Sequence, residues 1–412
     1  MRQKLCYNKL HMGESYSMPR CAGLCSRCKR TGNCPTRRVS GASPALLAGN
    51  VPSGSSRNLD GAGFAVDVGS TTLALALYDL RSGALLSAKG CMNPQTSVSA
   101  DVIGRITAVS TPGELAHLGG MATKAVETLL EEACADAGVA RSSVHDGVVT
   151  GNTVMLYILF GHDPAPLGRV PFRADWLAGC DAAFLGLPVW LPPCIGAFVG
   201  ADHVCALVSA RLSTDGPAAL LCDLGTNAEV ALRANGRLFA TSTAAGPAFE
   251  GTGVRGSDLL DAMAKFCADG TISETGSSDE SRLVLADGRR LENADVRSVQ
   301  VAKAAVAAGI SVMLDEAGIT AGDLSEIFLA GGFGCGLNPQ SAAAIGMLPD
   351  VPAARKTPLG NAALAGAAEL LLFPEKRAYA LALARSARLV ELGGSSDFSD
   401  RFIDAMTFAP WR

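Results

Sequence analysis

The chain has 412 residues, 48% of them apolar and only 18% charged, with a formal net charge of −4. That composition excludes a wholly disordered chain, and the length predicts two or three domains. No apolar run reaches the ~18 residues of a membrane span and no signal-peptide core opens the chain, so a soluble, cytoplasmic protein with no membrane partner is expected.

The mild net charge hides a division. Residues 1–60 carry +8 and the remainder −12. The 13 cysteines are an odd count; without a secretion signal they argue for reduced thiols or metal ligands rather than a disulfide framework.

Residues 1–38 form a basic, Cys-rich head. Its spacing is Cys21-x3-Cys25-x2-Cys28-x5-Cys34-Pro35, four thiols within 14 residues. Thiolates suit iron–sulfur clusters and zinc. The spacing departs from both common ferredoxin patterns, but Cys34-Pro35 and the tight loop favour a [4Fe–4S] cluster; a structural zinc site is the alternative. Cys6 is a spare ligand. Arg27, Lys29, Arg30, Arg37 and Arg38 would offset thiolate charge and attract an acidic electron donor. No aromatic stacking platform accompanies them, so no nucleic-acid partner is expected.

Residues 39–63 are mostly Ser, Gly, Ala and Pro and read as a flexible linker. A body follows over 64–372, and it contains an internal echo. Phe64-Ala-Val-Asp67-Val-Gly69-Ser70-Thr71-Thr72 precedes an alternating apolar run. Leu220-Leu-Cys-Asp223-Leu-Gly225-Thr226-Asn227 precedes another, 156 positions later. Each reads as a strand, an Asp, a Gly-Ser/Thr turn and a second strand closed by a hairpin signal, Ser82-Gly83 or Asn235-Gly236. Helices are predicted over Leu115–Gly138 and Val299–Ala317. Val148-Val149-Thr-Gly151 and Ile327-Phe-Leu-Ala-Gly331 read as strands ending in glycine turns. The pattern predicts an α/β body of two related halves, about 64–215 and 216–372. The tail, 373–412, begins with a predicted helix over Lys376–Leu389.

The repeated turn offers three things at one point. Glycine lets the backbone turn sharply and approach a ligand. Freed N–H groups and hydroxyls bind phosphate oxygens. The aspartate holds Mg²⁺, directly or through water. Two such turns facing each other would clamp a triphosphate. Gly331-Gly332-Phe333-Gly334 would let adenosine lie on bare backbone; a tight strand-to-helix crossover is the competing reading. Asp202 opens a predicted helix 21 positions before Asp223, either as an acid facing the cleft or as a helix N-cap.

The Asp67, Asp223 and Gly331 motifs, in this order, resemble the phosphate-1, phosphate-2 and adenosine motifs of the acetate and sugar kinase, Hsp70 and actin superfamily. That resemblance implies two ribonuclease-H-like halves closing on ATP and Mg²⁺, with Asp202 positioning water or metal. Asn93-Pro94-Gln95, Asp101 to Arg105, Gly151-Asn152-Thr153, Gly200-Ala-Asp202, Gly246-Pro247 to Gly251 and Ala302-Lys303 to Gly309 are similar to the ATP-dependent reductive activators of corrinoid proteins. This implies electron transfer from a ferredoxin or flavodoxin through an iron–sulfur head, Co(II) to Co(I), in a methyltransferase or O-demethylase system; a homodimer stays open. The sequence departs from that family after Gly251, where it is short and carries Arg255 and Asp258 in place of a Cys and a Gly. A phosphotransferase or nucleotide-binding module with a zinc head is the alternative, as is an activator of 2-hydroxyacyl-CoA dehydratases, which places its cluster cysteines within the body.

Overall fold

The computed structural model describes residue 49 and residues 51–246, 256–278, 283–285, 287–334 and 336–411. Two six-stranded sheets make its frame. The first holds β1 (Ala62–Val68), β2 (Thr72–Asp79), β3 (Leu85–Met92), β4 (Val144–Gly151), β5 (Ala178–Phe184) and β6 (Leu187–Pro193), in the order β3-β2-β1-β4-β6-β5. The second holds β7 (Ala219–Leu224), β8 (Ala228–Ala234), β9 (Arg237–Thr243), β10 (Glu326–Ala330), β11 (Arg355–Gly360) and β12 (Ala387–Leu389), in the order β11-β10-β7-β8-β9-β12. In each sheet the first strand pairs antiparallel with a meander and parallel with the strand arriving from the next helix. The echo in the sequence is thus a duplication of one topology.

Side-chain size decides what covers each face. Leu73, Leu75 and Leu77 of β2 point into the core shared with the long helix α2 (Pro112–Ala137), together with Phe64 and Val66 of β1. The alternate residues, Ala74, Ala76 and Tyr78, point into a central core between the two sheets. Small residues there let two helices approach closely: α4 (Ala201–Ala210) and α9 (Ala362–Leu372) cross with Gly366 so near the Cys205 carbonyl that any Cβ would collide. The smaller helices α1 (Val102–Thr107) and α3 (Thr153–Phe160) flank the first sheet. The second carries α5 (Gly256–Ala268), α6 (Asn293–Ala317), the single turn α7 (Gly331–Gly334) and α8 (Pro339–Ala344).

Local chemistry sets the boundaries. Helix α2 starts on a Thr111/Glu114 capping box and stops at Gly138, φ +67°, because glycine enters the left-handed region freely. Asn235 and Gly236, φ +52° and +69°, make the two-residue turn that the hairpin β8–β9 needs. Helix α6 begins earlier than its periodicity predicts, at Asn293 on a Glu292/Asp295 box. It is long and apolar enough to cross a membrane, yet it is a core helix, 78% buried over its most apolar stretch.

Two expectations need correction. The predicted helix over 376–389 stops at Ser386 as α10 (Arg377–Ser386); Ala387–Leu389 instead pairs parallel with β9, because an open sheet edge there takes up its backbone groups. Helix α11 (Ser396–Asp404) lies on α6, joined by Arg401 to Ser311 and Asp315, so the end of the tail packs on the second half, whereas Arg377 of α10 pairs with Asp146 of the first. The predicted linker also reaches too far. Ser55 donates to the Leu80 and Leu372 carbonyls at 2.7 and 3.1 Å, and Arg57 pairs with Asp146. Its small polar residues serve as close-fitting hydrogen-bonding groups on the body.

Candidate functional site

Asp67 ends β1, between Ala74 and Thr150 of its neighbours. Asp223 ends β7, between Glu229 and Ala330. The turns that follow them meet: Thr71 Oγ1 and Thr226 Oγ1 lie 2.8 Å apart, though the residues are 155 positions apart in the chain. Each turn is held in shape by its own backbone. A Cβ on Gly69 would sit 2.6 Å from the Thr72 carbonyl, and Gly225 N–H donates to the Asn227 carbonyl at 3.0 Å. Ser70 directs its carbonyl away from the cleft, to Arg105. Thr72 starts β2, opposite Met92.

The third motif closes on the second. Gly331 has φ +87°, and a Cβ on it would lie 2.5 Å from the Leu224 carbonyl and 2.7 Å from Asp223 Oδ1. Only glycine fits between that turn and the aspartate. Gly331, Gly332, Phe333 and Gly334 form the short turn α7 beside it.

Asp202 lies in the first turn of α4, whose N-cap is Gly200, so the capping alternative fails. Its Oδ1 accepts from the His203 N–H at 2.8 Å. Burial, then the charges of Asp202 and Asp223, pushes the Asp67 carboxyl up to about 8, against an opposing hydrogen bond from Asn361. Burial pushes Asp202 up to about 6; burial with the charge of Asp202 pushes Asp223 up to about 7. Glu229 is raised too, by burial and then by Asp202 and Asp223. Four carboxyls that disfavour one another's charge make a site whose electrostatics a cation would relieve. Among the described residues no three His, Cys, Asp or Glu groups converge enough to enclose an ion alone.

Residues that sequence reasoning left without a role hold the first turn from behind. Asn93, fully buried, donates to the Gly69 carbonyl at 2.8 Å, and its own N–H donates to the Thr71 carbonyl at 2.8 Å. Arg105, also fully buried, donates to the carbonyls of Ser70 and Ser99 and to Gln95 Oε1. Asn361 was missed altogether. Its Oδ1 caps α9 by accepting from Leu364 N–H, and its Nδ2 donates to Asp67 Oδ2 at 3.3 Å. A Gly-Asn pair before an Ala-rich helix is an N-cap signal, but nothing local points to Asp67. Asn361 caps α9, and Asp202 lies two residues after the N-cap of α4, so both crossing helices begin with a polar side chain. Cys21, Cys25, Cys28 and Cys34 lie outside the described residues.

The RACo middle region matches residues 62–215. The C-terminal domain of RACo, the ASKHA domain, matches residues 217–256 and 252–411; the two pieces meet where the chain is short after Gly251. The corrinoid activation enzyme RamQ of Eubacterium limosum is 28% identical, over 83% of this chain and 69% of its own length. The Co(II) methylated amine-specific corrinoid protein reductase of Methanosarcina barkeri is 23% identical, over 49% of this chain and 46% of its own length. A solved reductive activator for corrinoid, iron–sulfur protein superposes with a TM-score of 0.79 at 27% identity, over 86% of this chain and 67% of that one.

Proposed function

Because the chain belongs to the RACo family, whose middle region and ASKHA domain together match residues 62–411 almost throughout, we propose that it uses ATP to return a corrinoid protein from Co(II) to Co(I). The observation that carries this reading is the meeting of two equivalent Asp-and-glycine turns across one cleft, Thr71 against Thr226. The Thr71, Thr72 and Thr226 hydroxyls, with the N–H groups of Gly69, Ser70 and Asn227, bind phosphate oxygens, and Gly225 shapes the second turn through its own bond to the Asn227 carbonyl. Asp67 and Asp223 would hold Mg²⁺ directly or through water, and Asp202 would position water or metal. Gly331, Gly332 and Gly334 leave backbone without side chains against which adenosine would lie. The metal ion, when bound, supplies the positive charge that neutralises the phosphates and the buried carboxyls.

The two halves close on the nucleotide about the crossing helices, as hinged domains do. ATP favours the reducing arrangement only by binding it better; moving a 1:99 population to 99:1 takes about 5.5 kcal/mol. Cys21, Cys25, Cys28 and Cys34 would hold an iron–sulfur cluster of the [4Fe–4S] type, whose chemistry is one-electron transfer. The electron comes from a low-potential donor, a ferredoxin or flavodoxin. The Co(I) product would serve a methyltransferase system such as an O-demethylase.

The test combines anaerobically reconstituted protein, a reductant, Mg²⁺, ATP and a Co(II) corrinoid protein. An ATP-dependent Co(I) absorption band is expected. Its absence with an intact cluster present refutes the function. Zinc without sulfide in the anaerobically purified protein overturns the cluster and favours a phosphotransferase instead.

A further inference from the structure

Gly49 and residues 51–61 form a strap along the crossing helix α9, and the strap is fastened to both halves. At its far end Ser55 donates to the Leu80 carbonyl, Ser56 N–H to the Leu372 carbonyl at 3.1 Å, and Arg57 to Asp146 and the Leu371 carbonyl. Leu80 and Asp146 belong to the first half. At its near end Gly49 makes an antiparallel bridge to Gly360, the last residue of β11 in the second half. A Cβ on Gly49 would collide with Ala365 and lie 2.7 Å from the Asn361 carbonyl. Between the two ends Val51 and Pro52 line an open cavity of about 400 Å³ with Phe328, Leu359 and Ser209, and the buried Ser209 hydroxyl has no hydrogen-bond partner among the described residues.

Asn361 is where strap and cleft meet. Its side chain holds Asp67 and caps α9, while its carbonyl lies under Gly49. The Cys-rich head joins the body through Gly49, 15 residues after Cys34, a reach of at most ~50 Å. We propose that Asn361, as a positioning residue, and the strap together form the mechanical link by which the nucleotide state of the cleft sets the placement of the Cys-rich head; this rests on the reading of the cleft as an ATP site. The reasoning is geometric. A rotation of one half against the other about α4 and α9 moves Gly360 relative to Leu80 and Asp146. The strap spans those points, so it must slide over α9 or release Gly49, and either displaces the segment that leads to the head.

Hydrogen exchange on the full chain, with and without a non-hydrolysable ATP analogue and Mg²⁺, tests the link; calorimetry on the same samples measures binding. Coupling between sites of ordinary strength is about 5–150-fold, so exchange across residues 51–57 should change by at least about fivefold. Inserting Gly-Ser-Gly-Ser between Pro52 and Ser53 gives the strap slack away from the cleft. That variant should bind the analogue with unchanged affinity and lose the ATP dependence of Co(II) reduction. Analogue binding with unchanged exchange, or an insertion that leaves the ATP dependence intact, overturns the link alone. Failure to bind the analogue overturns the reading of the cleft, and the link with it.

Discussion

Arg105 offers the sharpest test of how the turn after Asp67 is held. Its guanidinium is fully buried, and burial brings its pKa down to about 10, so it stays charged at neutral pH. It donates to the Ser70 carbonyl, to the Ser99 carbonyl at 3.1 Å and to Gln95 Oε1 at 3.2 Å. Arg105→Met keeps much of the volume and contributes no donor. The Ser70 and Ser99 carbonyls then lose this donor, while Gln95 Oε1 keeps Asn93 Nδ2 at 3.4 Å. At about 1–3 kcal/mol for each unsatisfied acceptor, and taking the lower end because both carbonyls are partly open to water, the loss is about 2 kcal/mol. The same change frees the Ser70 peptide, which shapes the turn between Gly69 and Thr71. A loss of 1.4 kcal/mol in that preorganisation is about tenfold in nucleotide affinity. Arg105→Lys keeps the charge but not the planar fork, and should fall between the two. Urea unfolding and calorimetric titration with Mg²⁺·ATP measure both effects. An Arg105→Met protein within about 0.5 kcal/mol of the parent, the ordinary range for a surface change, and with unaltered affinity refutes the bracing of the turn.

Three further outcomes are expected. In the ligand-free protein Asp67, Asp223 and Asp202 are raised to about 8, 7 and 6 from 3.8. The folded state therefore binds more protons than the unfolded one between these limits. Their contribution is fully present below about pH 4 and is lost as pH rises through 6 to 8; thermal melts of Asp67→Asn should show a shallower decline over that window, and an unchanged slope contradicts the assignment. Gly331→Ala meets both a positive φ and the Asp223 carboxylate, so it should cost about 1–3 kcal/mol and more than tenfold in nucleotide affinity. Gly270→Ala, with φ +75° and open space around its Cβ, should lose some stability and leave affinity alone; equal affinity losses in both would rule out a specific role for Gly331. Replacing Cys21, Cys25, Cys28 and Cys34 together by Ser should abolish bound iron and sulfide while nucleotide binding persists, and iron retained in that variant would show that other residues are the ligands.

Local pattern carried much of this molecule. The alternation of Leu and Ala along β2, the Asn235-Gly236 turn and the glycine after α2 are decided by neighbours a few residues away, so strand, hairpin and helix end were all readable. The two Asp-and-glycine turns were readable for the same reason, since strand, acid and turn are consecutive. The extent of the tail strand was not: Ala387–Leu389 is a strand only because the edge of β9 lies beside it. The strap over 51–61 was read as a linker because its composition buries little apolar area, whereas its hydrogen bonds reach residues as distant as Leu372.

The sequence by itself determined the alternation of strands and helices in the body and the motifs at the ends of β1 and β7, because periodicity and turn geometry are short-range. Only the tertiary structure decided what those ends face. Thr71 meets Thr226, Asn361 reaches Asp67 across 294 positions, and the charges of Asp202 and Asp223 act on Asp67 and Glu229. These contacts arise from packing two sheets around two crossing helices, and a chain encodes the length of a separation but not the distance it closes to.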